Sequence, residues 1–217
     1  MDISKIDEKH AVMEVFSPLC ELLPEFVRDC SANIRKDLSS SKRFDDRQKM
    51  RIAALLINMH MAKAWKEFHP ARWWEVDDSG FFHLVHTPTG VTSYFHAVDP
   101  VTRGLPCAGH TLSAKARYSQ KGAKGVGQLT TNVFGQPDLS EIRLTIACDY
   151  LFPDPAFLRV YKPLSPGRYG TKGKSAYSFP IMSDGEDGHG WTPGFEPEPD
   201  DEVDILSNLM TEEKVDC

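Results

Sequence analysis

At His69-Pro70 the spacing of apolar residues changes from helical to alternating, and no other feature of this chain limits its fold so strongly. Upstream, Ile6, Val12, Met13, Val15, Phe16 and Leu19 cluster as on one side of a helix. Ser17-Pro18 reads as an N-cap followed by a first-turn proline. Pro24 reads as the opening of a further helix, with Phe26, Val27, Cys30, Ile34 and Leu38 on one stripe. Ser39-Ser40-Ser41 interrupts the pattern, and Asp45-Asp46 sit where carboxylates favour a helix start. Met50 to Phe68 then runs without Gly or Pro. Its Ile52, Leu55, Leu56, Met59, Ala62, Ala64 and Trp65 form a face broad enough to meet both other helices and a sheet. Proline disfavours helix at the residue before it, so the run stops at His69.

From Trp73 the period is two. Phe81 to Thr87 and Val91 to Val98 flank Thr87-Pro88-Thr89-Gly90, a turn-like tetrapeptide, and read as a hairpin. Leu129 to Phe134 reads as a short strand. Ile142, Leu144, Ile146 and Cys148 alternate with Arg143, Thr145, Ala147 and Asp149, the pattern of a half-buried strand. Pro153-Asp154-Pro155 leads into Phe157 to Tyr161, with Leu158 and Val160 inward. Ala176 to Ile181 closes the sheet at an edge, because Pro180 cannot donate to a ladder. Asp99 to Gly127, rich in small residues, Gly and Pro, reads as a long irregular loop. Helices followed by strands predict an α+β fold: about three N-terminal helices packed on a C-terminal antiparallel sheet of about 4–6 strands. The expected organisation is one domain over 1–182, helical over 5–69 and mainly β over 73–182, with a largely disordered acidic tail over 183–217.

Charge divides the chain more sharply than its net of -6 suggests. Residues 1–110 hold 14 Lys and Arg against 15 Asp and Glu, 111–182 hold 10 against 4, and 183–217 hold 1 against 12. A neutral helical half, a basic half and an acidic tail point to a polyanion-facing surface, an interaction tail, or both. The longest apolar run, Ile52 to Ile57, is far short of a bilayer span, and MDISKIDEKH lacks a signal layout. Five scattered cysteines suit a reducing compartment. The expectation is a cytoplasmic protein without membrane contact.

Several groups of residues carry possible chemistry. Gly167 to Ser175 ends in Gly-Lys-Ser, but a phosphate-binding loop needs glycine where Arg168 stands and a helix where Ala176 to Pro180 follow. His83, His86, His96, Cys107 and His110 include one chelate-like pair, Cys107 and His110, weak candidates for a metal; no second close pair exists, so no metal or other cofactor is expected. In the simplest hairpin register His83 and His96 share a face with Tyr94, while His86 points the other way. The basic half offers Lys115, Arg117, Lys121 and Lys124 with Tyr118, and Lys162, Arg168, Lys172 and Lys174 with Tyr161 and Tyr169. Arg143, Arg159 and Tyr161 take the outward parity between these groups. Cations neutralise phosphates and tyrosines stack on bases, so RNA or single-stranded DNA is the first partner expected, an acidic protein the second.

The same residues suit catalysis without a metal. Arg143, Arg159 and Tyr161 with His83 or His96 could move protons at a ribose 2′-hydroxyl while cations hold the phosphate. In broad layout, helices followed by a sheet with basic outward positions, the chain is similar to small bacterial messenger-cleaving toxins. The acidic tail would tune polyanion binding, or dock a protein partner through Ile205, Leu206, Leu209 and Met210. A third reading is a non-catalytic interaction or inhibitor module of a mobile element.

Overall fold

The computed structural model describes residues 8–77, 79–120, 130–133, 135–149 and 158–181. These all belong to one unit, Met1–Ser183. The acidic segment 183–217, including Ile205, Leu206, Leu209 and Met210, lies outside the described residues.

Three helices come first: α1 (Glu8–Phe16), α2 (Leu19–Ser40) and α3 (Asp46–Phe68). Pro24 does not open α2 but lies inside it. Leu19, Leu23, Val27 and Cys30 continue one buried stripe across the proline, and their packing outweighs the lost backbone donor. Asp45 caps α3 in a reciprocal box: its carboxylate accepts from the Gln48 amide N–H at 2.8 Å, and Gln48 Oε1 accepts from Asp45 N–H at 3.0 Å. The helix ends at His69, left-handed at φ 45°. The apolar face of α3 is wider than its contact: Ala53, Ile57, Met61, Ala64 and Trp65 are buried, whereas Leu55, Leu56 and Met59 remain exposed.

The strands β1 (Trp74–Val76), β2 (His83–His86), β3 (Thr92–Ala97), β4 (Arg143–Cys148), β5 (Leu158–Pro163) and β6 (Ser175–Ile181) form one sheet in sequence order. The sheet is mixed, not antiparallel throughout: β3 and β4 pair in parallel, from Thr92 opposite Arg143 to Ala97 opposite Cys148. The other neighbours are antiparallel. A short turn forces antiparallel pairing, but the 98–142 connection is long enough to return the chain to the same end of the sheet. That connection is not wholly irregular, since it contains α4 (Leu112–Tyr118), capped by the Thr111 hydroxyl at 3.2 Å from Ala114 N. The expected strand at 129–134 is absent from the described residues there, where a single bridge joins Thr131 to Pro137.

One face of the sheet meets the helices. Leu84, Phe95, Leu144, Ile146, Val160 and Phe179 are buried there, each fully buried large side chain contributing about 1.5–3 kcal/mol. Phe16 meets Trp74 and Phe179 edge-on, and Trp65 and Phe26 surround Phe82. The buried Asn58 amide of α3 accepts from Phe82 N–H at 2.7 Å and donates to Phe95 O at 3.1 Å, which sets the hairpin against the helix. Lys162 faces the same side, buried with Nζ 2.6 and 2.8 Å from the two carboxylate oxygens of Glu8, which also accepts from the Tyr177 hydroxyl. It is therefore not one of the outward cations. Among the described residues no helix is long and apolar enough to cross a membrane.

Candidate functional site

The opposite face carries the polar residues of the strands. The register sets His83, Tyr94, Thr145, Tyr161 and Ser178 in one row across β2 to β6. A second row holds His96, Ala147, Arg159 and Pro180, and Arg143 lies beside Thr92 at the near end. His83, His96, Arg143, Arg159 and Tyr161 thus share one face. This face is not bare: Val98, Leu105, Ala108, Ala114, Tyr118, Ala147 and Tyr161 form a small second core beneath α4. β4 is consequently buried on both sides rather than half-buried, with Thr145 and Ala147 enclosed.

That cover changes the roles open to the tyrosines. Tyr118 and Tyr161 are only 2% and 8% exposed, so neither ring can stack on a base in this fold. The Tyr118 hydroxyl lies beside Thr145 without a well-formed hydrogen bond. Burial pushes it up to about 12; Thr145 and Arg117 oppose that rise and Cys107 adds to it. His96 is half-buried, its Nε2 buried and lacking a hydrogen-bond partner among the described residues. Burial, then the charges of Arg117 and His83, bring its imidazole down to about 4, so it is neutral near pH 7.

His83 has a different setting. Its Nδ1 lies 3.1 Å from Asp77 Oδ2 and 3.0 Å from Ser79 Oγ, and Nε2 makes no hydrogen bond among the described residues. Phe81 stacks on one side of the ring, and Tyr94 meets it edge-on with centroids 4.5 Å apart. Burial lowers the His83 pKa, the hydrogen bond and charge of Asp77 raise it, and Arg117 lowers it; the net shift is downward. Burial raises Asp77, but hydrogen bonds from Ser79 and His83, with the His83 charge, hold it below its ordinary value. The ionised carboxylate can only accept, so Nδ1 carries the proton and Nε2 presents a lone pair. The sequence reading missed Asp77 and Ser79. The signal was turn-forming composition, Asp77, Ser79 and Gly80, between two strands that pair antiparallel.

The guanidinium groups surround this row. Arg117 of α4 sits 4.3 Å over the Tyr94 ring. Arg143 donates from Nη1 to the Ser140 and Ile142 carbonyls. Arg159 Nε donates to Ser178 Oγ at 3.0 Å. Among the described residues, none of the three is paired with a carboxylate. Gln120 closes the cover: its amide donates to Arg143 O and Pro163 O at 2.7 and 3.2 Å and accepts from Arg143 N–H at 3.2 Å. The crevice between Tyr94, Arg117, Tyr118, Arg143, Thr145 and Pro163 has no room for a water-sized sphere.

Lys115 is exposed on α4, and Arg168, Lys172 and Lys174 are exposed between β5 and β6. The two loops touch: Ala108 N–H donates to Pro166 O at 2.8 Å, and Asp99 accepts from Gly170 N–H at 3.0 Å. Asp99 also accepts from the Val101 and Thr102 amides, and Arg103 pairs with Asp149. Lys121 and Lys124 lie outside the described residues. Cys107 is half-buried against Gly167, and His110 is exposed ahead of α4. No group of three or more His, Cys, Asp or Glu among the described residues could hold a metal. On the helix side, His86 bonds Thr89 at 2.8 Å and borders a crevice of about 320 Å³ with Glu14 and Gln136. Comparisons of the chain with family models, curated proteins and solved structures return no match.

Proposed function

We propose that the outer face of the sheet and its cover bind single-stranded nucleic acid, RNA or DNA, through its phosphates. The observation that carries this reading is the set Arg117, Arg143 and Arg159, which share a face without carboxylate partners among the described residues. Lys115, Arg168 and Lys174 extend the positive charge onto the joined loops. Each guanidinium presents donors matched to phosphate oxygens. With Tyr118 and Tyr161 enclosed and Tyr94 covered by Arg117, the exposed Tyr169 remains for base contacts. Affinity then comes chiefly from phosphate neutralisation and depends strongly on salt.

Fluorescence anisotropy with labelled RNA and DNA oligonucleotides tests this. Binding is expected to weaken with a log–log salt slope of about -0.7 per phosphate contact. Arg117→Ala, Arg143→Ala and Arg159→Ala together should weaken it at least tenfold. The charge of 183–217, 12 acids against 1 base, opposes any approaching polyanion, so its removal should raise affinity at low salt. Absence of binding at low salt, or equal binding by the triple variant, overturns the reading.

A further inference from the structure

We propose that His83, positioned by Asp77 and Ser79, is the general base for cleavage of bound RNA at a ribose 2′-hydroxyl, with Arg117 holding the reacting phosphate. This rests on the nucleic-acid reading of the outer face and deepens it by naming ribose-containing strands as substrate.

Three observations meet at one place. The His83 ring is fixed by two contacts to Nδ1, 3.1 Å from Asp77 and 3.0 Å from Ser79, while Nε2 has no partner among the described residues. The ring is partly enclosed between Phe81 and Tyr94, and its side chain keeps 14% exposure. Arg117 lies 4.3 Å over the same Tyr94 ring, and its charge is felt at the imidazole. A fixed neutral imidazole next to an uncompensated cation suits a reaction that removes a proton while negative charge grows on a phosphate. His96, half-buried one alternation further along β3, adds no competing positive charge near pH 7.

The step balances without a further reactant. The 2′-hydroxyl gives its proton to Nε2 as its oxygen bonds to phosphorus, and the bond from phosphorus to the 5′-oxygen breaks. The departing oxygen takes a proton from solvent, and His83 later returns its own to solvent. The products are a 2′,3′-cyclic phosphate and a 5′-hydroxyl. Asp77 and Ser79 touch no reacting atom; they are positioning residues.

The test uses the full chain with labelled RNA and its 2′-O-methyl counterpart in EDTA, following cleavage and binding separately. Wild type is expected to cut RNA only, leaving cyclic phosphate ends. His83→Gln should slow cleavage at least 100-fold and change affinity less than about threefold. Asp77→Asn, at a more exposed position, should also slow cleavage and shift the acid limb of the pH–rate profile, a change that loss of packing alone would not produce. The groups facing His83 are Asp77 and Ser79 on its own hairpin side, Arg117 from α4, and Tyr94 and His96 from β3, so that limb reports this cluster. RNA bound but left intact, or cut at the wild-type rate by a folded His83→Gln, overturns the cleavage inference and leaves the binding face standing. If His83→Gln fails to fold, an unchanged rate and pH profile for Asp77→Asn overturns it. Absence of any binding overturns both.

Discussion

The two faces of this sheet are built from alternate residues of the same strands and differ in almost every physical respect. The helix side is aromatic and apolar, crossed by the hydrogen-bonded Asn58 amide and Lys162–Glu8 pair, although Trp74 Nε1 is buried there without a partner among the described residues. The outer side sets imidazole, phenol, hydroxyl and guanidinium groups under a short helix and a loop, and leaves His96 Nε2 and the Tyr118 hydroxyl without good partners. Apolar burial is concentrated on the first face and titratable groups on the second. Strand β4 belongs to both, which is why its alternation ends in burial on either side.

The contrast can be broken by substitution. Trp65→Ala should cost about 3–5 kcal/mol in urea unfolding, whereas Arg159→Ala should cost under about 1 kcal/mol; equal losses would remove the distinction between the faces. Glu8→Ala leaves the Lys162 ammonium buried and unpaired, for an expected loss of about 3 kcal/mol, and Glu8→Leu with Lys162→Met should recover most of it.

Acid probes the outer face. Unfolded His96 binds its proton near 6.5 and folded His96 near 4, so the unfolded chain holds more protons between these values. The His96 contribution is therefore fully present above about pH 6.5 and falls as the pH drops toward about 4. The loss reaches roughly 3 kcal/mol at most. Arg117 from α4, His83 from β2 and the Tyr118 ring face this imidazole. His96→Phe should flatten the pH dependence measured against wild type by thermal melting. Smallest is Thr111→Ala, which removes the α4 cap for about 1 kcal/mol. It should appear as faster amide exchange in 112–118 with little change in the rest of the sheet.

Much of this was legible because local rules and tertiary packing agree. The helical stripe over Phe26, Val27, Cys30, Ile34 and Leu38, the stop at His69, the Thr87–Gly90 turn and the Pro180 edge each follow from residue type and spacing. Pro24 was misread because a proline has the same sequence signature at a helix start and inside one; only packing on both sides decides. The parallel pairing was invisible because pairing direction depends on where a long connection returns, which spacing does not record. Helix α4 was hidden by its length, although Thr111 followed by two alanines was a usable signal. At the site, parity grouped His83 with His96 and Arg143 with Arg159, but it could not show that the two pairs share one face or that Tyr118 and Tyr161 are covered. It also could not show that Asp77 folds back on His83.

The parallel pairing has a consequence for how the outer face comes into being. The strands form two three-stranded meanders, β1–β3 and β4–β6, that meet along a single seam. Closing the 98–142 excursion costs roughly 2 kcal/mol more chain entropy than closing a four-residue turn. His83, Tyr94 and His96 stand on one side of that seam, Arg143 and Arg159 on the other. A nascent chain that has reached only residue 142 already carries the imidazoles and their carboxylate, but not the two strand arginines. The half that could activate a hydroxyl and most of the half that could grip a phosphate are thus synthesised apart and united late.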